Sequence, residues 1–207
     1  MTPERLFKLQ SELSRLVDSE VTLGEVGLVA GADAAYKGDF AVACAASIDM
    51  RGMEVAEANF SSGKVAFPYI PGLFALREAR ILVEVFKGLG ARPDVCIVDG
   101  HGVAHPRGFG LACQVGLALD LPTIGVAKRR LFGAVEGDRI LGTSGEVIGA
   151  ILPAGPGRRL YVSVGHRISL LDALRVVGRC MREGEVIPLA IAHRLARAKL
   201  LASSHTI

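Results

Sequence analysis

The sequence predicts an α/β fold in which a mixed central sheet is flanked by helices. Two observations lead to this fold class. Alternating apolar segments on either side of a Lys37-Gly38 turn are typical of an antiparallel hairpin or meander. Further along, a short apolar strand, a helix and a second apolar strand form a β-α-β pattern, which is typical of parallel pairing. No long linker, repeat or low-complexity tract interrupts the chain, so we expect one domain over residues 1–207.

The elements of the first half follow from hydrophobic periodicity. Leu6, Leu9 and Leu13 recur at helical spacing, and Pro71 precedes a second helical pattern. The segments between them alternate with the period of strands. The predicted elements are a helix at 3–17, strands at 27–36, 39–50 and 53–60, and a helix at 71–89.

The second half supplies the parallel part of the sheet. The run VCIV, which ends at Asp99 and a Gly-rich loop, is short and continuously apolar, as expected for a strand buried on both faces. The predicted elements are strands at 94–100, 122–127, 146–152 and 159–165, and helices at 109–119, 169–183 and 188–202.

Composition and charge restrict the class of protein. Half of the 207 residues are hydrophobic, which argues against a disordered chain. The sequence has no run of ~18 uncharged apolar residues, which argues against a membrane-spanning helix. The net charge of +3 is unevenly placed: residues 1–120 hold 11 Lys/Arg and 15 Asp/Glu, whereas residues 121–207 hold 13 and 6. A polyanion could bind the basic part and be processed beside carboxylates of the other. A solvated basic surface explains the same charges equally well.

The cysteines and the N-terminus indicate a cytoplasmic protein. Cys44, Cys96, Cys113 and Cys180 are far apart and form no C-x-x-C pair, so we expect buried free thiols. The first ten residues lack a cationic start followed by an apolar segment, so no secretory signal is visible.

Glu78 is the most informative anomaly. At about 100° per residue, the charged residues Arg77, Arg80, Glu84 and Lys87 share one stripe of the helix, whereas Glu78 lies among Phe74, Ile81, Leu82 and Val85. A buried carboxylate needs a metal, a cation or a proton. A structural ion pair with a buried Arg or Lys is the alternative to a functional site.

Asp33 and Asp99 are two further carboxylates in unusual places. Asp33 interrupts an apolar strand, and Asp99 ends the strand before Gly100, where α/β sheets bind ligands. Either residue alone could be a turn former or a helix cap. Three carboxylates without Cys or paired His favour Mg²⁺ or Mn²⁺ over Zn²⁺, and such an ion suits phosphodiester chemistry.

Other motifs carry less information. His101 and His105 have the spacing of a zinc motif, but Gly102 and Pro106 make their segment a loop. Lys128 follows a predicted strand directly and could contact a phosphate, although basic runs are usually solvated. The sequence lacks a dinucleotide fingerprint, a Walker A motif and a serine-hydrolase elbow. The rigid segment Pro68-Tyr69-Ile70-Pro71 could wedge into a base stack or simply lead into a helix.

Together these segments resemble the endonuclease V family. The resemblance rests on AGADAAY, PYIPGLFALRE, PDVCIVDGHGVAHPRGFGLA, PTIGVAKRRLFG and VGHRISLLDAL, in that order, and spans most of residues 6–202. It implies an RNase H-like fold and a Mg²⁺-dependent endonuclease, with Mn²⁺ able to substitute, that recognises inosine from deaminated adenine. It also implies cleavage of the second phosphodiester bond 3′ to the lesion, which leaves 3′-hydroxyl and 5′-phosphate ends.

The resemblance also assigns roles to residues. Asp33 and Asp99 would be metal ligands, Glu78 would complete the acidic site, and Lys128 would lie near the scissile phosphate. Tyr69, between Pro68 and Ile70, resembles the wedge that fills the space beside the displaced base. The residues that resemble the pocket for a flipped base, or that would otherwise contact the nucleic acid, are Gly72, Phe74, Gly100, His105 and Leu111.

One segment departs from the family pattern. Family members usually have a stretch like PEPTR-x-A before a His or Asp, whereas residues 187–193 read IPLAIAH. His193 still aligns as a fourth residue of the metal site. The resemblance implies that it contacts the ion through a water molecule. The chain is also compact between residues 133 and 159, which implies fewer nucleic-acid contacts there.

Three alternatives remain open at this point. The chain could prefer inosine in single-stranded RNA, or it could be a non-catalytic reader of damaged or edited nucleic acid. A small-molecule α/β enzyme is the third alternative. We expect a monomer whose partner is inosine-containing DNA or RNA and which does not act at a membrane.

Overall fold

A nine-stranded mixed sheet forms the centre of the protein in the computed structural model, which describes residues 2–65 and 73–203. Its strand order is β3-β2-β1-β4-β5-β9-β8-β7-β6. Strands β1, β4 and β5 are parallel to one another, and all other neighbours in the sheet pair antiparallel. The predicted combination of a meander with parallel strands is therefore confirmed.

The strands of this sheet are β1 (Leu28–Lys37), β2 (Phe40–Asp49), β3 (Glu54–Lys64), β4 (Val95–Asp99), β5 (Thr123–Ala127), β6 (Ala134–Glu136), β7 (Arg139–Leu141), β8 (Val147–Pro153) and β9 (Arg159–His166). A separate hairpin contains β10 (Met181–Arg182) and β11 (Glu185–Val186). The helices are α1 (Pro3–Leu13), α2 (Phe74–Lys87), α3 (Leu111–Leu119), α4 (Leu170–Cys180) and α5 (Ile187–Ser203), and a short 3₁₀ turn, Ser14–Leu16, follows α1.

Two short hairpins differ from the sequence-based expectation. Strands β6 and β7 lie in a stretch for which no element was predicted, and they join through a turn at Gly137, whose φ is 61°. Helix α4 ends at Cys180 rather than at residue 183, because the chain turns back through Glu183 and Gly184, both with positive φ, to form β10 and β11. A positive φ is incompatible with a continuing right-handed helix.

The helices cover the sheet on both faces. Helices α2 and α3 bury one face, on which Ala30, Ala32, Cys96 and Val98 project. Helix α4 packs over Val164, and α5 packs over Cys44, on the opposite face. Alternating strand residues thus belong to two different cores, as the period of a strand requires.

Close approach of the backbone places α5 against β1. A Cβ atom on Gly31 would lie 2.4 Å from the carbonyl carbon of Pro188. Only glycine fits there, so Gly31 determines how near the first turn of α5, and with it His193, can come to strand β1.

The remaining features agree with the composition. All four cysteines are buried and free, as predicted. Among residues 2–65 and 73–203, no helix combines the length and apolar character that crossing a membrane requires.

Candidate active site

Asp33 and Asp99 lie side by side where strand β4 ends. Parallel pairing matches Ala32 with Val98, so the next residue on each of these neighbouring strands is a carboxylate. Asp99 is the last residue of β4, and the Gly-rich loop that follows leaves the sheet at this point. The predicted convergence of the two aspartates thus follows from the parallel pairing of β1 with β4.

Glu78 approaches the same place from the other face of the sheet. It projects from α2 among the apolar residues Ile81, Leu82 and Val85, and only 5 % of its surface is exposed. Its Oε1 accepts a hydrogen bond from the Tyr36 hydroxyl at 2.5 Å. The predicted burial of this carboxylate is confirmed. Among the described residues its hydrogen bond comes from a hydroxyl, and the nearby charge of Arg77 also favours its ionised form.

Burial and mutual repulsion perturb two of the carboxylates. Burial raises the pKa of Glu78 to about 8, the hydrogen bond from Tyr36 opposes this shift, and the charges of Asp33 and Asp99 add to it. Burial also raises the pKa of Asp33, against the hydrogen bond from His193. A positive ion placed among these carboxylates would lower the free-energy cost of keeping them ionised.

Lys128 and His193 supply positive or proton-donating groups. Lys128, the first residue after β5, places its Nζ 2.9 Å from Asp99 Oδ2, and this hydrogen bond raises the pKa of the lysine. His193 on α5 places Nδ1 2.6 Å from Asp33 Oδ2. The segment that departs from the family pattern therefore still brings His193 to the carboxylate site.

A cavity of about 480 Å³, which we call the first cavity, opens beside these carboxylates. Asp33, Glu78 and Asp99 line one part of it, and predicted pocket residues line another. The latter are Gly100, His105 and Leu111. The sequence-based prediction thus selected residues that share one cavity.

His101, whose segment is a loop rather than a zinc-binding helix, also lines the first cavity. Its buried Nδ1 atom has no hydrogen-bond partner within the described part of the chain, and burial lowers the pKa of the imidazole. A neutral ring with an unsatisfied nitrogen can exchange a hydrogen bond with a polar ligand.

Several predicted contact residues fall wholly or partly outside the described part of the chain. Pro68, Tyr69, Ile70 and Gly72 lie outside the described residues, as does the side chain of Phe74. Their assignments as wedge and pocket residues remain predictions.

The donor atoms and contacts of the three carboxylates decide whether they suit a metal ion. Within residues 2–65 and 73–203, no three side chains of His, Cys, Asp or Glu already stand together as a metal-binding cluster. Each carboxylate is instead held by a protein partner: Glu78 by Tyr36, Asp33 by His193 and Asp99 by Lys128. Three oxygen donors that line one cavity, two of them with raised pKa, nevertheless match the ligand chemistry of Mg²⁺.

Tyr36 is the site residue that sequence reasoning missed. The alternation of side chains along a strand could have indicated it, because Ala32, Ala34 and Tyr36 share the face that α2 covers. The guanidinium of Arg77 lies 4.9 Å from the centroid of the Tyr36 ring, which makes Arg77 part of this cluster rather than only of the charged stripe.

Comparisons with known proteins agree with this geometry. The endonuclease V family model matches residues 9–195. An endonuclease V of Desulfurococcus amylolyticus is 37% identical in an alignment that covers 96% of this chain and 95% of the relative. The crystal structure of an endonuclease V from Streptomyces avermitilis is 32% identical, with a TM-score of 0.90 over 98% of this chain and 95% of that one.

A third similar structure contains nucleic acid. It is a Ciona intestinalis endonuclease V variant in complex with a 23mer DNA containing an inosine followed by a ribo-adenosine. This protein is 25% identical to the chain, with a TM-score of 0.87 over 98% of the chain and 99% of its own length.

The mixed α/β fold, the carboxylates and the adjacent lysine, together with these similarities, define a nuclease. More specifically, the chain belongs to the endonuclease V family. Membership confirms the predicted class of enzyme, a DNA-binding endonuclease of DNA repair. The predicted need for a metal is supported at the level of the family, whereas the identity of the metal stays a prediction.

Proposed function

We propose that this protein is a Mg²⁺-dependent endonuclease for inosine-containing DNA. It hydrolyses the second phosphodiester bond 3′ to the inosine and leaves 3′-hydroxyl and 5′-phosphate ends. One observation carries the proposal: the carboxylates Asp33, Glu78 and Asp99 line the same cavity as Gly100 and Leu111. A flipped base and the bond to be cut would then occupy adjacent parts of one site.

Asp33, Glu78 and Asp99 would hold the metal ion, which when bound neutralises phosphate charge and supplies a hydroxide nucleophile. His193 fixes the orientation of Asp33, and Tyr36 fixes that of Glu78. The Lys128 ammonium, held beside Asp99, stabilises the charge that develops on the phosphate. The water oxygen bonds to phosphorus, the bond from phosphorus to the 3′ oxygen breaks, and that oxygen leaves with a proton.

Recognition of the lesion uses the rest of the first cavity. A flipped hypoxanthine stacks near Leu111 and exchanges hydrogen bonds with polar groups such as the Nδ1 atom of His101. Tyr69 fills the space that the base vacates. A weakly paired base is easier to extrude than a well-paired one, and this difference contributes to selectivity.

Cleavage of a defined strand tests the proposal. The substrate is a labelled DNA strand with a single inosine, and the same strand with adenine is its control. We expect one product, cut at the second bond 3′ to inosine, with Mg²⁺ present and none with EDTA. Asp99→Asn should abolish cleavage, whereas Asp138→Asn, at the distant turn between β6 and β7, should not. Undiminished cleavage by Asp99→Asn would contradict the assignment of the site.

Inosine in RNA is a second candidate substrate. The observation that favours it is the Ciona intestinalis complex, whose DNA carries a ribonucleotide directly after the inosine. If the cut falls after that nucleotide, its 2′-hydroxyl adjoins the leaving 3′ oxygen. Four strands of one sequence separate the candidates. Two of them are all DNA and all RNA. The other two are the same strands with the opposite sugar at the nucleotide after inosine. A preference that follows the single exchanged sugar indicates recognition of that 2′-hydroxyl.

A further inference from the structure

A second cleft lies on the other side of the catalytic carboxylates. Its volume is about 350 Å³, which falls within the usual range of ligand sites, ~300–1,000 Å³. Asp99 and Lys128 line both this cleft and the first cavity, so the two spaces meet at the catalytic centre. The turn between β8 and β9, the β10–β11 hairpin and the beginning of α5 form the rest of its wall.

The cleft has an apolar floor and a cationic rim. Ala154, Leu160 and Val186 are buried on the floor. The rim carries three arginines and one acidic residue, and all four are exposed. These rim residues are Arg158, Arg159, Arg194 and Glu185.

Internal contacts leave much of this positive charge available to a ligand. Arg158 donates a hydrogen bond to the Gly184 carbonyl at 3.4 Å, which ties the β8–β9 turn to the hairpin. Arg194 forms a loose ion pair with Glu185 at 3.6 Å. Glu185 offsets one of the three arginine charges, and at the catalytic end Lys128 is paired with Asp99, so a net charge equal to two arginines remains for a ligand. An apolar floor with such a rim suits a nucleoside whose flanking phosphates bind arginine.

We propose that this second cleft binds the nucleotide on the 3′ side of the cleaved bond. The inference rests on the proposed function, because it takes the first cavity as the site of the flipped inosine. A strand that leaves the first cavity in the 3′ direction crosses Asp99 and Lys128 and enters the second cleft. The base and sugar just beyond the cut lie on the apolar floor, and the next phosphate meets the arginine rim.

Binding of the nucleotide in the second cleft would explain why the second half of the chain is basic. Every cation that lines the second cleft comes from residues 121–207. The cleft holds the departing 5′-phosphorylated strand, whereas the first cavity holds the lesion. Tight binding on this side would also make the enzyme sensitive to inhibition by its product.

Strand length tests the proposal in the active enzyme. One substrate ends at the first nucleotide beyond the cut, and a second carries one more nucleotide and therefore one more phosphate in the cleft. We expect the extension to lower KM about tenfold in the wild-type protein and to have little effect in Arg159→Ala. Arg194→Ala, which changes another part of the rim, should reduce the same ratio. Arg51→Ala, at the exposed turn after β2, is the matched control and should keep it.

A binding measurement separates this proposal from the proposed function. The probe is a fluorescent six-nucleotide DNA strand that begins with a 5′-phosphate and contains no inosine. Tighter binding by the wild-type protein than by Arg159→Ala and Arg194→Ala supports the cleft even if no inosine strand is cleaved. Equal binding by all three proteins, or a KM that does not respond to strand extension in the wild type, overturns it. A loss in Arg159→Ala that is the same for both substrate lengths overturns it as well.

Discussion

The Tyr36 hydroxyl lies 2.5 Å from Glu78 Oε1, so a residue of strand β1 orients a carboxylate of the helix that covers the same face of the sheet. Removing the hydroxyl with Tyr36→Phe leaves Glu78 buried without its donor. We therefore expect the Mg²⁺ concentration for half-maximal cleavage to rise about 10- to 100-fold, the usual effect of losing a residue that orients a metal ligand.

Mg²⁺ titrations of inosine-strand cleavage measure this effect, and calorimetric Mn²⁺ binding measures it without turnover. Tyr161→Phe is the matched control because Tyr161 lies on β9 and lines neither the first cavity nor the second cleft. Tyr36 has no role in positioning Glu78 if both variants need the same metal concentration.

Glu78 should make the metal-free protein less stable as the pH rises. Its pKa is about 8 in the folded protein and 4.5 in the reference state. The folded state therefore holds the proton more tightly, and its stability falls between pH 4.5 and about 8. Glu78→Gln removes this titration, so we expect it to be more stable than wild type at pH 9 by on the order of a few kcal/mol, but not at pH 4.

Urea unfolding of both proteins across this pH range, in EDTA, gives the difference directly. Added Mg²⁺ should stabilise the wild type at pH 8 and leave Glu78→Gln almost unchanged, because binding to the folded state alone raises its stability. A stability difference that stays constant with pH would show that burial does not raise the pKa of Glu78 above its value in the unfolded chain.

Lys128 should matter for catalysis far more than for stability. Its ion pair with Asp99 spans 2.9 Å, but the two side chains are 75% and 31% exposed, so the pair contributes at most ~1 kcal/mol. We expect Lys128→Ala to melt near the wild-type temperature and to lose ~10²- to 10³-fold in kcat, the range for removing one group that stabilises developing charge.

Arg80→Ala breaks the comparably exposed pair of Arg80 with Glu84 on the outer stripe of α2 and provides the control. It should keep both stability and activity. Single-turnover cleavage distinguishes a slower chemical step from weaker binding. An equally large loss of activity in both variants would remove the special role of Lys128.

The sequence allowed the main fold and most of the site to be predicted because the signals were local. Glu78 violates the helical period of its own segment, and Asp99 ends an uninterrupted apolar strand. The contact of Tyr36 with Glu78 depends on which face of β1 helix α2 covers, and no local pattern fixes that choice. The second cleft was not predicted because its walls come from segments separated in the chain, residues 154–160 and 184–194.

The missed strands have a different cause. Strands β6 and β7 contain three residues each, which is too short for periodicity to separate them from a loop. The Gly137-Asp138 pair at their turn was a usable hairpin signal. The departure from the family pattern at 187–193 also proved to be local, since His193 still reaches Asp33.

Gly31 should be intolerant of even one added methyl group. In Gly31→Ala the new Cβ would lie 2.4 Å from the Pro188 backbone, so α5 must move away from β1, and His193 must move with it from Asp33. We expect a loss of ~1–3 kcal/mol in the free energy of unfolding, together with weaker metal binding.

Gly178→Ala is the control: this exposed glycine in α4 has open space for a Cβ, so alanine should stabilise the helix by ~0.5–1 kcal/mol. Chemical denaturation and Mn²⁺ binding measure both effects, and a Gly31→Ala protein as stable as wild type would show that α5 does not depend on this close approach.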